Sequence, residues 1–141
     1  MQIKTLYLGE LKSNCYVVVT APHKCIAIDV GGTPQLLLNY LKMNNLQLTK
    51  ILLTHGHFDH TAGVEEVRQA TGAEVFIHET DSPMLESSAL SLHSMISCMP
   101  FQPVMKYEII RDGCILHDGD YTFRTLHTPG HSHGSVCYIC E

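Results

Sequence analysis

Three histidines and an aspartate fall within six residues of the segment ILLTHGHFDHTAG, directly after a short apolar run. The run covers residues 50–54, and the polar residues are His55, His57, Asp59 and His60. Imidazoles and a carboxylate crowded at the end of a buried strand cost free energy unless something compensates them. A metal ion is the natural compensator. We therefore interpret this segment as a metal-binding loop rather than as a solvated loop.

The spacing inside the segment adds to this interpretation. Residues that are two apart in an extended loop point to the same side. His55, His57 and Asp59 can therefore converge, while His60 turns to another side at the start of the next helix. Such an arrangement can serve two adjacent cations. Histidine and carboxylate ligands favour zinc, with iron or manganese as alternatives.

The composition narrows the class of protein. The chain has ten histidines against nine lysines and arginines together, and 45% of its residues are hydrophobic but only 16% charged. High hydrophobicity with a charged fraction below the usual ~25% excludes a disordered chain. The net charge of −5 and the absence of a Lys/Arg cluster argue against a nucleic-acid partner. The apolar runs are far shorter than the ~18 residues that cross a bilayer, so no membrane association is expected.

The cysteines and the N-terminal segment predict a cytoplasmic protein. The first 20 residues lack the basic start and long apolar run of a secretion signal. Without such a signal, the six cysteines are expected to be free thiols, with Cys15, Cys25 and Cys137 buried in strands. Cys137 and Cys140 form a CxxC inside a predicted strand, where residues three apart face opposite sides. This pair is therefore not expected to bind a metal or to act as a redox dithiol.

The hydrophobic pattern predicts one domain over residues 1–141, with no linker. Strands are expected at 2–8, 15–19, 25–30, 50–54, 74–78, 106–110, 121–127 and 135–140. Helices are expected at 33–43 and 62–70. A third helix would start at Ser82 and carry Met84, Leu85, Leu92, Met95 and Ile96. Strand, helix and strand in succession favour an α/β (α+β) fold with a mixed sheet and covering helices.

Four segments of the chain resemble one known family. THGHFDHTAG resembles the HxHxDH signature of the metallo-β-lactamase fold superfamily. Three further segments resemble its glyoxalase II-like branch in the same order, namely NCY at 14–16, IDVGG at 28–32 and TPGHSHGS at 128–135. Four ordered matches are more specific than a lone HxHxDH. The resemblance implies a metallo-β-lactamase-type αββα sandwich and a metal-dependent hydrolase similar to hydroxyacylglutathione hydrolase.

The resemblance also assigns roles by position. His55, His57 and His131 would form the first metal site and leave the open fourth position of a catalytic zinc. Asp59 and His60 would belong to a second site, and Asp59 would also orient the attacking water as the catalytic carboxylate. One or two zinc ions are the expected cofactors, with iron or manganese as the alternatives.

Two residues near these ligands have expected supporting roles. Asp29 ends a predicted strand. It either accepts an N–H from a ligand imidazole and so fixes its tautomer, or it is simply a turn residue ahead of two glycines. Gly130 is expected to let the backbone bend close to the metal.

The chain departs from the family pattern after TPGHSHGS. The family continues with a Gly-Asp segment, whose aspartate bridges the two metals, and with a later histidine. Neither follows before Glu141. The second site therefore has only Asp59 and His60, and the domain is expected to be the N-terminal part of the fold, incomplete at its C-terminus. Three explanations stay open: a truncated chain, a homo-oligomer that covers the open sheet, or a fragment that binds one metal with little activity.

The leading functional hypothesis follows from the resemblance. Metal-activated hydroxide would attack the carbonyl of a small-molecule thioester or ester, and the metal would stabilise the oxyanion. A non-haem iron oxygenase of the persulfide dioxygenase type is the alternative enzyme, because it uses a similar loop. A catalytically weak metal-binding fragment is the alternative without an enzyme.

Overall fold

The computed structural model describes all residues 1–141 and contains nine strands in two sheets. The first sheet has the order β1 (Gln2–Leu8), β2 (Ser13–Ala21), β3 (Lys24–Ile28), β4 (Gln47–Leu52), β5 (Glu74–His78) and β6 (Glu108–Ile110). Its first three strands are antiparallel neighbours, and β3 to β6 are parallel. The second sheet is an antiparallel meander of β7 (Ile115–Asp118), β8 (Tyr121–His127) and β9 (Val136–Cys140).

Helices supply the crossovers that parallel strands require. The chain passes through α1 (Gln35–Met43) between β3 and β4, and through α2 (Phe58–Thr61) and α3 (Val64–Thr71) between β4 and β5. A 3₁₀ helix (Ser82–Glu86) and the one-turn helix α4 (His93–Ile96) lie between β5 and β6. None of these helices has both the length and the apolar character needed to cross a bilayer.

Alternation along the strands gives the first sheet two buried faces. One face packs against the helices in a cluster of 18 buried residues that includes Val17, Ala27, Ile51, Leu37 and Val67. The opposite face meets the second sheet in a cluster of six buried residues, which are Val18, Ile26, Leu52, Phe76, Ile110 and Phe123. The layers are therefore helices, six-stranded sheet and three-stranded sheet. This is the N-terminal part of the expected α/β sandwich.

Two hydrogen bonds join the second sheet to the residues just ahead of the histidine loop. The backbone N–H of Val136 donates to the carbonyl of Thr54 at 2.8 Å. The hydroxyl of Tyr138 donates to the carbonyl of Leu53 at 2.7 Å. Burial raises the pKa of Tyr138 well above 10, so this hydroxyl keeps its proton. The first strand residues of β9 are thus fixed to the carboxyl end of β4.

A buried carboxylate joins the two sheets at another point. Asp118, at the end of β7, accepts hydrogen bonds from the hydroxyls of Thr20 at 2.5 Å and Thr49 at 2.7 Å, and from the ammonium of Lys50 at 3.0 Å. Burial raises the pKa of Asp118, but these bonds outweigh burial and leave the pKa below its ordinary value of 3.8. The carboxylate is therefore charged at neutral pH and ties β7 to β2 and β4.

The helix expected from Ser82 is wrong in its extent. The segment forms two short helical turns separated by residues 87–92. The last of these, Leu92, has a φ of 65° in the left-handed region, which a continuous helix cannot contain. The hydroxyl of Ser87 accepts the N–H of Leu90 and so competes with helical hydrogen bonding. Met95 and Ile96 are exposed, so their helical spacing does not mark a core face.

Smaller corrections concern strand bounds and one cysteine. Strand β4 begins at Gln47 and ends at Leu52, earlier than the expected 50–54, and β7 was not expected. Cys15 and Cys25 are buried as expected, but Cys137 is exposed, because β9 turns it to the face opposite Val136. All six cysteines are free thiols.

Candidate metal centre

The expected ligands come from two sheets and meet at one edge of the molecule. His55, His57, Asp59 and His60 leave the carboxyl end of β4, and His131 lies in the loop between β8 and β9. In sheets with parallel strands, binding residues gather outside the carboxyl ends of those strands. The structure groups His55 with His57 and His131, and also with Asp29 and His60. Asp59 is in neither group and contacts His60 instead, so it does not converge with His55 and His57 as the spacing predicted.

Three imidazoles form a compact triad. The ring centroids of His55, His57 and His131 are 4.8 Å apart in each of the three pairs. One ligand nitrogen from each ring lies within 4.8 Å of the others. Tetrahedral zinc with Zn–N bonds of about 2.1 Å places its ligand nitrogens about 3.4 Å apart. Small side-chain adjustments would therefore bring the three nitrogens onto one ion.

The second nitrogen of His55 is the clearest sign of a missing partner. Nε2 is buried and has no hydrogen-bond partner. Nδ1 lies 2.9 Å from the hydroxyl oxygen of Thr54, and that hydroxyl donates to Asp29 at 2.7 Å. The hydroxyl oxygen must therefore accept the Nδ1 proton, which leaves a lone pair on Nε2. A buried acceptor without a partner costs about 1–3 kcal/mol, so a cation at this point fits the residues present.

His60 lies between two carboxylates. Its Nδ1 is 2.8 Å from Oδ2 of Asp29, and its Nε2 is 3.2 Å from Oδ2 of Asp59. The hydroxyl of Ser13 donates to the same Asp59 oxygen at 2.7 Å. Asp59 and His60 are thus adjacent, as the second site would need. The sequence left two roles open for Asp29, an acceptor of an imidazole N–H or a turn residue. The structure places it in the position of the acceptor.

The triad is electrostatically suited to binding a cation. Burial, together with the nearby His60, lowers the pKa of His55 to about 4. Burial and the neighbouring His131 lower the pKa of His57. Both rings are therefore neutral at pH 7, which is the state that binds metals.

In contrast to the neutral His55 and His57 rings, Asp59 and His60 are both charged. Burial disfavours the charge on His60, but hydrogen bonds to Asp29 and Asp59 outweigh it and raise the pKa to about 10. Burial likewise disfavours the charge on Asp59, but hydrogen bonds from His60 and Ser13 hold its pKa well below the usual range. The pair therefore carries one positive and one negative charge at neutral pH in the metal-free chain.

Sequence reasoning missed one buried carboxylate beside the cluster. Asp81 has no exposed surface and accepts hydrogen bonds from Gly56, Ser132 and Gly134. It follows β5 in the segment HETDSP, where a single aspartate before a serine and a proline looks like an ordinary turn residue. Only the three-dimensional contacts distinguish it.

Close contacts between backbone segments near the cluster occur at glycines other than Gly130, whose expected bend toward the metal stays a prediction. A Cβ at Gly130 would meet no protein atom within 4 Å. A Cβ at Gly63 would lie 2.2 Å from the carbonyl oxygen of Gly31, and one at Gly31 would lie 2.3 Å from that of Asp59. These two glycines let the loop after β3 pack directly against the histidine segment.

A cavity of about 270 Å³ opens on the Asp59 side of the cluster. Its lining includes Glu10 from the β1–β2 turn, Phe58 from α2, and His93 and Met99 from the segment before β6. Asp59 is the one predicted site residue in this lining. The three ligand imidazoles lie outside it.

Two relatives resemble the chain over nearly its whole length. The probable metallo-hydrolase YqgX of Bacillus subtilis is 30% identical over 141 residues, which is 100% of this chain and 66% of the relative. The hydroxyacylglutathione hydrolase GloC of Haemophilus influenzae is 28% identical over 142 residues, which covers 99% of this chain and 66% of the relative. The chain thus spans about two thirds of the length of these relatives.

Two solved structures also resemble the chain over nearly its whole length. The crystal structure of the B3 metallo-β-lactamase BLEG-1 matches with a TM-score of 0.91 and 34% identity, over 98% of this chain and 66% of that one. TTHA1623 in a di-iron-bound form matches with a TM-score of 0.83 and 32% identity, over 96% and 66%. The sequence profile described as the metallo-β-lactamase superfamily matches residues 8–141. The chain therefore belongs to the metallo-β-lactamase superfamily.

Proposed function

We propose that the chain carries the metal-binding part of a hydrolase that acts on a small-molecule thioester or ester. The observation that carries this proposal is the buried, unpartnered Nε2 of His55 in a cluster with His57 and His131. A cation is the partner that satisfies all three rings at once, because each of them can offer a lone pair. The name of GloC as a hydroxyacylglutathione hydrolase supports a thioester as the substrate class.

The residues of the cluster divide into two metal sites in this proposal. His55, His57 and His131 would hold the first ion, and Asp59 with His60 would contribute to a second. A bound zinc ion supplies a Lewis acid and a water whose pKa is lowered to about 7. Zinc is the proposed metal because imidazole and carboxylate ligands suit it. The di-iron form of TTHA1623 supports iron as the alternative.

Asp59 is the residue that we propose to handle the proton of the attacking water. Its pKa is held well below the usual range, so it is a carboxylate at neutral pH and can accept a hydrogen bond from water. Ser13 and His60 fix its orientation through Oδ2. The adjacent cavity of about 270 Å³ offers room for a small acyl group next to this carboxylate.

Turnover and metal content together test the proposal. The protein reconstituted with zinc is incubated with a hydroxyacylglutathione and with a p-nitrophenyl ester, and release of thiol or phenol is followed. Turnover above that of free zinc, lost in Asp59→Asn, would support the hydrolase. Stoichiometric iron with oxygen consumption on a persulfide would instead support the dioxygenase type. Metal binding without turnover would support the catalytically weak fragment.

Two further expectations belong to this proposal. We place the protein in the cytoplasm, supported by the buried free thiols Cys15 and Cys25, whose pKa burial raises to about 12. A homo-oligomer would cover the outer face of the second sheet, where Ile115 and Leu126 are exposed. Sedimentation velocity tests this second expectation, because a monomer at micromolar concentration would contradict it.

A further inference from the structure

We propose that Asp81 is a positioning residue that fixes the two metal-ligand loops relative to one another. This inference deepens the proposed function and rests on its metal site. It concerns a residue that makes no hydrogen bond to the imidazoles of the triad and does not line the cavity beside Asp59, and whose hydrogen bonds go to backbone groups and a serine.

The carboxylate of Asp81 reaches both ligand loops at once. Oδ2 accepts the backbone N–H of Gly56 at 3.0 Å and the hydroxyl of Ser132 at 2.6 Å. Oδ1 accepts the backbone N–H of Gly134 at 2.7 Å. Gly56 lies between the ligands of the first loop, and Ser132 directly follows the ligand of the second. One side chain therefore connects loops that are more than 70 residues apart in the chain.

Asp81 is itself held in place by the strand that precedes it. Its backbone N–H donates to the carbonyl of His78, the last residue of β5, at 3.0 Å. Its carbonyl accepts the N–H of Met84, in the following 3₁₀ helix, at 2.9 Å. Because β4 and β5 are parallel neighbours, the residue after β5 lies beside the loop after β4. The carboxylate therefore has a fixed position from which it can hold other groups.

The glycines around Asp81 independently indicate a close fit. A Cβ at Gly134 would lie 2.7 Å from Cγ of Asp81. A Cβ at Gly56 would lie 2.7 Å from Cβ of Met84 and 2.9 Å from the carbonyl oxygen of Asp81. Both loops thus approach the aspartate more closely than any residue with a side chain permits.

The position of His131 depends on the hydrogen bond between Asp81 and Ser132 more than the positions of the other proposed ligands do. It is exposed, whereas the next residue, Ser132, is buried. The hydroxyl of Ser132 lies within 2.7 Å of both Asp81 and Ser135, so it is fixed on two sides. The position of the exposed ring is therefore set through its buried neighbour, and Asp81 is the group that ties this neighbour to the first loop.

The test replaces the carboxylate by an amide of the same shape. In Asp81→Asn, an amide N–H must face at least one of the donors that now meet an oxygen, which displaces one loop. We expect the affinity for zinc, measured by chelator competition, to fall about 10- to 100-fold. The absorption spectrum of bound Co²⁺ should change as well, because it reports the ligand geometry.

Asp118→Asn is the matched control. Asp118 is also buried, also accepts three hydrogen bonds and also joins the two sheets, but its partners Thr20, Thr49 and Lys50 lie outside the ligand loops. We expect this variant to be less stable than the wild type and to keep its zinc affinity within about twofold. Equal losses of zinc affinity in the two variants would indicate a merely structural role for Asp81 and overturn the proposal.

The remaining outcomes are also decisive. Unchanged zinc affinity in folded Asp81→Asn would overturn the positioning role. If that variant fails to fold, Ser132→Ala removes only the hydroxyl that contacts Asp81 and Ser135, and unchanged affinity in it would overturn the role as well. A wild-type protein that binds no zinc, cobalt or iron would refute the proposed metal site itself. This last failure is seen without any variant and is therefore distinct from the others.

Discussion

Oδ2 of Asp29 lies 2.8 Å from Nδ1 of His60 and also accepts the hydroxyl of Thr54. Through that hydroxyl the same carboxylate fixes the Nδ1 proton of His55. In His60 the proton on Nδ1 leaves Nε2 facing Asp59 at 3.2 Å, an arrangement that requires a second proton or a cation between them. A single aspartate therefore fixes the Nδ1 proton of both neighbouring imidazoles and leaves the Nε2 of each for a second proton or a cation.

The Asp29 carboxylate is expected to contribute to stability as well as to orientation. Asp29→Asn should lower the free energy of unfolding by about 1–3 kcal/mol, because a buried charged acceptor of three hydrogen bonds is lost. Asp29→Ala should cost about 1 kcal/mol more. The φ of Asp29 is 59°, and asparagine adopts this left-handed conformation more readily than alanine. Urea denaturation of the metal-free variants measures both values.

Asn45→Ala is the control for the backbone contribution. Asn45 is exposed and has a φ of 52°, so this change reports the cost of left-handed alanine together with one exposed hydrogen bond to His23, without a buried carboxylate. A free energy of unfolding for Asp29→Asn equal to that of the wild type would contradict the role given to Asp29.

Removal of any one triad imidazole is expected to empty the first metal site. His55→Ala, His57→Ala and His131→Ala should each lose about one equivalent of zinc after dialysis, measured by inductively coupled plasma mass spectrometry. Two imidazoles with water hold zinc far less tightly than three. His117→Ala is the control, because His117 is exposed in the second sheet, away from the cluster. An unchanged metal content in all three triad variants would refute the ligand assignment.

Much of this site follows from the sequence, because its signals are local. His55 and His57 alternate in the loop after β4 as expected, whereas Asp59 and His60 lie in α2, so the helix rather than alternation sets their positions. The contribution of His131 came from resemblance, since no spacing rule joins residues 74 positions apart. Asp81 had no such signal. Its role depends on two loops and a strand end that meet only after folding, and an isolated aspartate in a turn is common.

The pattern of apolar residues predicted the strands better than the segment between β5 and β6. Strands such as β5 are buried on both faces by neighbouring layers, so their central residues are apolar. In the segment 82–96, Leu85 is buried but Met95 and Ile96 are not. Spacing alone does not distinguish apolar residues that pack from those that stay exposed, so the expected helix was too long.

The stability of the protein should depend on pH through Asp118. Its pKa in the folded state is below the ordinary 3.8, so its contribution is fully present above about pH 4 and is lost as the pH falls toward the folded value. Asp118→Asn should lower the free energy of unfolding by about 1.5–3 kcal/mol at pH 7, because hydrogen bonds to a charge are lost. The difference between variant and wild type should shrink below pH 4. Urea denaturation at pH 7, 4 and 3 measures it, and a difference that grows in acid would contradict the assignment.

Two glycines near the site should respond differently to the same change. Gly63→Ala should lower the free energy of unfolding by about 1–3 kcal/mol, because the new Cβ would lie 2.2 Å from the carbonyl oxygen of Gly31 and the backbone must shift. Gly130→Ala should have little effect, because its Cβ meets no protein atom. Thermal denaturation of the metal-free variants compares them. A larger loss for Gly130→Ala would show that its backbone conformation is restricted in a way that the contacts do not reveal.

Because hydrogen bonds from β9 reach Leu53 and Thr54, the distance between the two sheets affects the geometry of the histidine cluster. The second sheet is attached within two residues of His55, and its β8–β9 loop carries His131, so any change in the spacing between the sheets moves one proposed ligand relative to another. Substitutions of interior residues such as Phe123, which is not one of the proposed ligands, would then alter how tightly a metal is held as well as how stable the fold is. In the proposed metal site, the affinity for an ion could be tuned with no change to the atoms that would bind it.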